Sequence, residues 1–281
     1  MLQRVLKGVS YRLTIQLPSL IEGVLKGNAI RSYWYRDIKN FGDLLTPALL
    51  RHFGFTPVHA YPENAKLIGV GSILEHVDES FSGVVLGSGF IFEKSRLELP
   101  KAYVLSVRGA LTRQRLGPRH QRALLGDPGI LAPLLIGKRP PVRYDIGIVA
   151  QHVNLEPKYL PGILAKHHQH VCAISVVADP SKVVWEIAQC AHVLSASLHG
   201  IVVADALGIP SAWVTEEAIY GGRFKFDDYY SALGEQGINP VELKGDEDLS
   251  QLIAYTSARS IHAVEQLQGQ AQGMFEKLRE S

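Results

Sequence analysis

A length of 281 residues fits two domains of ordinary size, and a 46% hydrophobic content is enough to fill two cores. The net charge of +2 provides no broad basic field, which excludes gripping a nucleic-acid backbone as the main task but permits a local cation cluster for a small anion. Cys172 and Cys190 lie outside any CxxC spacing and fit a reducing compartment, each as a small buried hydrophobe, better than a disulfide framework. The N-terminal stretch MLQRVLKGVSYRLTIQLPSLIEG lacks the continuous apolar core and cleavage site of a signal peptide, and reads as a helix packed on its domain. No apolar run approaches the roughly 20 residues of a spanning helix. Thr46 before Pro47 predicts a helix over PALLRHF. AKLIGV, GVVLG, AYVLSV, YDIGIVA, VCAISVV, HVLSA and PSAWV are nearly continuous apolar runs, the mark of buried parallel strands. Helical stretches such as KVVWEIAQC and GIVVADALG lie between them, so the chain reads as α/β, with open sheets covered on both faces. The charged, Pro-bearing linker from Gly137 to Asp145 divides it into two Rossmann-like domains facing a cleft, residues 1–138 and 139–281. After Asp246 a single long polar helix is predicted, with Leu249, Leu252, Ile253 and Ile261 on one face.

Open α/β sheets bind ligands at the carboxyl ends of their strands, and the candidate residues gather there. Asn40-Phe41-Gly42-Asp43 enters a helix; Gly42 permits close backbone approach and Asp43 can orient or deprotonate a hydroxyl. A helix start with an acidic first turn accounts for the same residues without function. The turns Gly69-Val70-Gly71-Ser72 and Gly87-Ser88-Gly89 follow strands and offer main-chain donors, yet neither completes a nucleotide-binding glycine motif. Arg108 ends the strand of VLSVRGALTRQRLG, where a guanidinium can clamp a carboxylate or phosphate. In Ser195-Ala196-Ser197-Leu198-His199-Gly200, His199 falls at a helix N-terminus, which attracts anions and suits a proton donor at neutral pH. Arg223 and Lys225 form a small basic and aromatic patch, and His152 follows the strand IGIVA at another strand end. His167, His168, His170 and Cys172 straddle a helix end and a strand start, so no metal site is expected. Ser197, His199 and Asp205 are too close in sequence for a hydrolase triad.

In order, NFGDLLTPAL, KLIGVGSIL, LGSGF, SVRGALTRQRLG, LGDPGILAP, SASLHGIVVADALGIP and RFKFDDYY resemble the polysaccharide pyruvyl transferase family, in particular its exopolysaccharide ketal-pyruvate branch, over roughly residues 38 to 233. The resemblance implies two Rossmann-like domains in a GT-B-like arrangement, and transfer of the enolpyruvyl carbons of phosphoenolpyruvate onto two saccharide hydroxyls. It implies that Arg108 binds phosphoenolpyruvate and that the family's histidine falls at His199; protonation of the donor's methylene carbon would then make His199 the acid, with Ser72 and Ser88 of the glycine turns as further substrate-binding candidates. Where the family has Arg-Leu-His this chain has Ser197-Leu198-His199, so a second cation, Arg223 or Lys225, is expected to stand in. No cofactor is expected beyond phosphoenolpyruvate as donor substrate. The expected partner is a saccharide acceptor, lipid-linked as such repeats usually are, which implies work in the cytoplasm at the inner membrane face and peripheral membrane association. A GT-B glycosyltransferase using a nucleotide sugar, and a non-catalytic saccharide-binding or assembly protein, remain alternatives.

Overall fold

The apolar runs become strands of two all-parallel sheets. The computed structural model describes residues 27–151, 154–215 and 221–280. The first half supplies β1 (Ala29–Tyr33), β2 (Thr56–His59), β3 (Leu67–Ile68), β4 (Val84–Ser88), β5 (Tyr103–Val107) and β6 (Leu124–Leu125), in the spatial order β2-β1-β3-β4-β5-β6. The second half supplies β7 (Tyr144–Val149), β8 (Val171–Ile174), β9 (Cys190–Ser195), β10 (Ser211–Thr215) and β11 (Val241–Glu242), in the order β11-β10-β9-β7-β8. Each order reverses once, between β1 and β3 and between β7 and β9. Beside such a reversal the connections leave to opposite faces and open a crevice at the strands' carboxyl ends.

The connecting helices carry the site. Helix α1 (Phe41–His52) starts because the Asn40 side chain accepts from Gly42 N at 3.2 Å, with Asp43 in the first turn and Arg51 and His52 in the last to complement the dipole. The start predicted at Thr46-Pro47 is therefore too late, and Pro47 lies inside the helix. Buried Phe41 and Leu45 hold the extra turn to the core, which outweighs the hydrogen bond that proline cannot donate. Helices α2 (Ala110–Arg115), α3 (Tyr159–His167), α4 (Pro180–Ala188), α5 (Leu198–Ala206) and α6 (Phe224–Ala232) follow strands in turn. Helix α5 is apolar around its circumference and is buried from Leu198 to Asp205, as expected of a helix enclosed on all sides.

The predicted single C-terminal helix is two. Helices α7 (Leu249–Ala254) and α8 (Ile261–Glu280) are separated by a polar stretch in which Ser257 and Ser211 exchange backbone hydrogen bonds of 3.1 and 3.0 Å. Arg259 in the same stretch pairs with Glu235 at 2.6 Å, so these residues satisfy their polar groups better extended than helical. Leu252 is consequently buried while Ile261 is 71% exposed. Helix α8 returns to the first half: Phe275 stacks on Phe53 with centroids 4.4 Å apart, and the Gln268 amide donates to Ile130 O and Ala206 O. One continuous apolar cluster joins Leu45 and Leu49 of α1 with Val184 of α4, Val202 of α5 and Phe275 of α8. None of the described helices is long and apolar enough to cross a membrane.

Candidate active site

The two strand-order reversals meet through the starts of α1 and α5. Phe41 N donates to Val176 O, in the segment after β8, at 2.8 Å, which draws the N-terminus of α1 onto the second sheet. His199, in the first turn of α5, is 7% exposed and lies flat against Gly42, where any Cβ would run into the imidazole. Glycine at 42 is thus a matter of close approach, with one helix start seated on the other. The Phe41 ring meets the imidazole edge-on at 6.3 Å. On the opposite side of the ring, Nε2 lies 3.5 Å from Asp127 Oδ2. Asp127 is fully buried at the start of the 3₁₀ segment Pro128–Leu135, and its other oxygen accepts from Gly129 N at 2.8 Å. Among the described residues neither His199 Nε2 nor Asp127 Oδ2 has a hydrogen-bond partner. The pair is therefore poised just beyond bonding distance.

Asp43 and Lys225 complete the group. Asn40 Nδ2 donates to Asp43 Oδ2 at 3.1 Å, and the other carboxylate oxygen faces Gly71 in the turn after β3. Burial raises the Asp43 carboxyl to about 6, against the opposing influence of His199, the Asn40 bond and Lys225. Burial lowers the Lys225 amine to about 8, helped by the Arg108 charge and opposed by Asp43. An imidazole, a carboxyl and two cations thus share one electrostatic neighbourhood. Such a set can hold a small polyanion and move a proton to or from it.

Arg108 lies behind this group and is fully buried. Its Nε donates to Asp228 Oδ2 at 2.9 Å, its Nη1 to Ser72 Oγ at 2.8 Å and its Nη2 to Phe90 O, while the guanidinium rests on Gly89. Asp228 also accepts from Thr112 N and Thr112 Oγ1, both at 2.7 Å. Ser88 Oγ donates to Gly71 O and accepts from Ile73 N, each at 3.0 Å. Ser72 and Ser88 therefore fix the glycine turn beside Asp43 from within. Ser197 precedes α5 half-buried, without a side-chain cap bond, and Gly200 presses against Ser195.

Arg223 and Lys225 part company. Arg223 is exposed, pairing with Asp227 at 2.7 Å and reaching Asn239 Oδ1 at 3.2 Å, whereas Lys225 is half-buried, its amine 5.5 Å from the Phe226 ring and within the electrostatic influence of Asp43. His152 lies outside the described residues. Among those described, no three His, Cys, Asp or Glu side chains converge as metal ligands. Asp127 and Asp228 were not singled out by sequence reasoning. Asp127 has a local signal, an Asp-Pro-Gly helix start after a strand; Asp228 lies in RFKFDDYY, but nothing local marks its pairing with Arg108, 120 residues away.

The family profile for polysaccharide pyruvyl transferase matches residues 26–217. The chain belongs to the polysaccharide pyruvyl transferase family. The matched span holds Gly42, Asp43, Arg108, Asp127 and His199, with Lys225 and Asp228 just beyond it. Among curated relatives of this family member, Uncharacterized protein L143 of Acanthamoeba polyphaga mimivirus is 30% identical over 59% of this chain and 59% of its own length. Succinoglycan biosynthesis protein ExoV of Rhizobium meliloti (strain 1021) is 29% identical over 72% of this chain and 64% of its own length. The chain thus spans about three fifths of the length of the curated relatives it matches. No solved structure matches it.

Proposed function

We propose that this chain is a phosphoenolpyruvate-dependent transferase that builds a pyruvate ketal on a saccharide of an exopolysaccharide or other cell-surface glycan. The observation that carries the reading is the placement of His199 between Asp127 and Gly42, beside Asp43 and Lys225, in a chain of this family. The relative in succinoglycan biosynthesis supports a polysaccharide acceptor. In this reading the two sheets are Rossmann-like halves of a GT-B-like cleft, and the acceptor is lipid-linked and met at the inner face of the cytoplasmic membrane.

The donor phosphate lies toward Lys225 and the N-terminus of α5, whose free amides favour an anion. Arg108 adds positive charge from behind and keeps the Ser72 turn in place. His199 gives a proton to the methylene carbon of phosphoenolpyruvate, and C2 becomes electrophilic. The first saccharide hydroxyl bonds to C2 and yields its proton to Asp43. The bond from C2 to the phosphate oxygen then breaks, and phosphate leaves with its electron pair. The second hydroxyl bonds to C2, its proton ending on phosphate, and the ketal closes; Asp43 passes its proton back to His199, and both groups return to their starting states. Asp127, 3.5 Å from Nε2, is placed to orient the imidazole and to stabilise its charged form during this transfer. The route asks for no metal or redox cofactor.

The test is incubation with labelled phosphoenolpyruvate and a panel of lipid-linked or synthetic glycosides. Phosphate release matched by acid-labile pyruvate in the glycoside is expected. His199→Gln, which fills more of the buried site than alanine, should lower turnover by about 10²–10⁴ in protein that still melts cooperatively. Release of nucleotide from a sugar nucleotide, with phosphoenolpyruvate untouched, would instead make the protein a glycosyltransferase. Saccharide binding without turnover of either donor would make it a binding module.

A further inference from the structure

The sequence Tyr33-Trp34-Tyr35 leaves β1 directly at the reversal of the first sheet, where Tyr33 is in register with Ile68 of β3. Around it runs a chain of rings that the chemistry at His199 does not use. Tyr61 meets His59 edge-on with centroids 5.8 Å apart, and His59 meets Tyr33 at 5.8 Å and Trp34 at 4.8 Å. Tyr33 meets His76 at 5.7 Å, and His76 stacks on Tyr35 at 5.5 Å with an interplanar angle of 26°. The inner members are fixed: Trp34 and Tyr33 are buried, and His59 Nε2 is bonded to Trp34 O at 3.1 Å. That bond to a carbonyl requires a proton on Nε2, and burial lowers the His59 pKa to about 4, so the ring stays neutral as a rigid spacer. The outer members face water: Tyr61 is 50% exposed, His76 is exposed, and Tyr35 is half-buried.

This rim borders the chemistry. His76 closes the short 3₁₀ turn Ile73–His76, which begins one residue after Ser72, the partner of Arg108. Gly71, one residue earlier, adjoins the Asp43 carboxylate, which a Cβ at this position would approach to 3.0 Å. His76 and the glycine that adjoins Asp43 thus belong to one short turn of chain, residues 71–76. A pyranose presents an apolar C–H face and a belt of hydroxyls. Rigid aromatic rings with polar tips, placed beside a carboxylate, match both features at little entropic cost.

We propose that Tyr35, His76 and Tyr61 form the acceptor subsite, stacking a pyranose of the saccharide by its C–H face and delivering its hydroxyls to Asp43. The link to catalysis rests on the pyruvyl-transfer reading above; the binding of a saccharide here does not. With the full chain, saturation-transfer NMR against methyl hexopyranosides and short oligosaccharides, together with steady-state kinetics, decides the matter. Tyr35→Ala and His76→Ala are each expected to raise KM for the glycoside by roughly three- to tenfold. KM for phosphoenolpyruvate and kcat should change less than about twofold, a split that general loss of structure does not produce. Tyr35→Phe keeps the ring and should keep most of the affinity. An unchanged glycoside KM in the Tyr35→Ala/His76→Ala protein would overturn the proposal. If the wild-type chain transfers no pyruvyl group, the catalytic reading fails alone. The subsite then stands on NMR: ring-dependent saturation transfer lost in the double variant supports it, and equal or absent transfer in both proteins overturns it.

Discussion

Asp43 and Lys225 are displaced from their ordinary ranges in opposite directions, both chiefly by burial, the carboxyl up to about 6 and the amine down to about 8. Asp43 is ionised above its value and Lys225 is charged below its own, so the two charges coexist only between them. Turnover is therefore expected to be bell-shaped, falling below pH 6 as Asp43 protonates and above pH 8 as Lys225 loses its charge. A kcat/KM profile across that range checks this, and Lys225→Arg should lift the alkaline limb while leaving the acid limb in place. The same displacement has a price in stability. Folded Asp43 holds its proton more tightly than an unfolded one of ordinary value 3.8, so its contribution is present below that value and is lost as pH rises through about 6. At neutral pH the ionised carboxyl is a net liability. Asp43→Asn should stabilise the protein at pH 7.5 by on the order of 1 kcal/mol while lowering turnover, and the gain should shrink toward pH 5. Thermal melts at the two pH values read it directly.

Helix α6 acts as a clasp between the halves. Phe226 stacks on Trp213 of β10 with centroids 4.1 Å apart, while Phe224 lies under the Arg115 guanidinium of α2 at 4.3 Å. Asp228 and Ser231 then bind the start of α2, Ser231 Oγ accepting from Ala110 N at 2.8 Å. Asp228→Ala would strand the buried charge of Arg108 and should cost about 3–5 kcal/mol in chemical denaturation. Arg108→Lys should be milder in stability but should weaken phosphoenolpyruvate binding, because one ammonium cannot serve Asp228, Ser72 and Phe90 O together. The segment RFKFDDYY belongs to the family resemblance, but the contacts of the clasp are not legible in it, because Asp228 acquires its role only from a partner in the other half. The buried strands β4, β5 and β7 to β10 are legible, because parallel strands covered on both faces need unbroken apolar runs. β1 and β2 are not: Arg31 and Ser32 interrupt one and Pro57 argues against the other, although both pair fully in the first sheet. His199 and Asp43 are readable from their places at helix starts after strands. Asp127 carries the look of a capping residue and conceals its approach to the imidazole.

Across the whole molecule, one apolar cluster reaches from α1 through α4 and α5 to α8 and joins the halves, while a second lies almost wholly in the first half and a third in the second. Phe275→Ala should cost about 3–5 kcal/mol and shift the unfolding of both halves together. Tryptophan fluorescence and far-ultraviolet circular dichroism followed in urea should report one coincident transition before and after the change, and two separated transitions would show that the shared core does not couple them. The Phe53–Phe275 stack also governs the order of events during synthesis. At ordinary translation speeds Phe53 emerges on the order of 10–40 s before its partner. Through that interval Phe53 lacks its stacking partner while Leu49 can already pack against Leu67, Leu86 and Ile130, so the end of α1 is the part of the first half that waits for completion of α8.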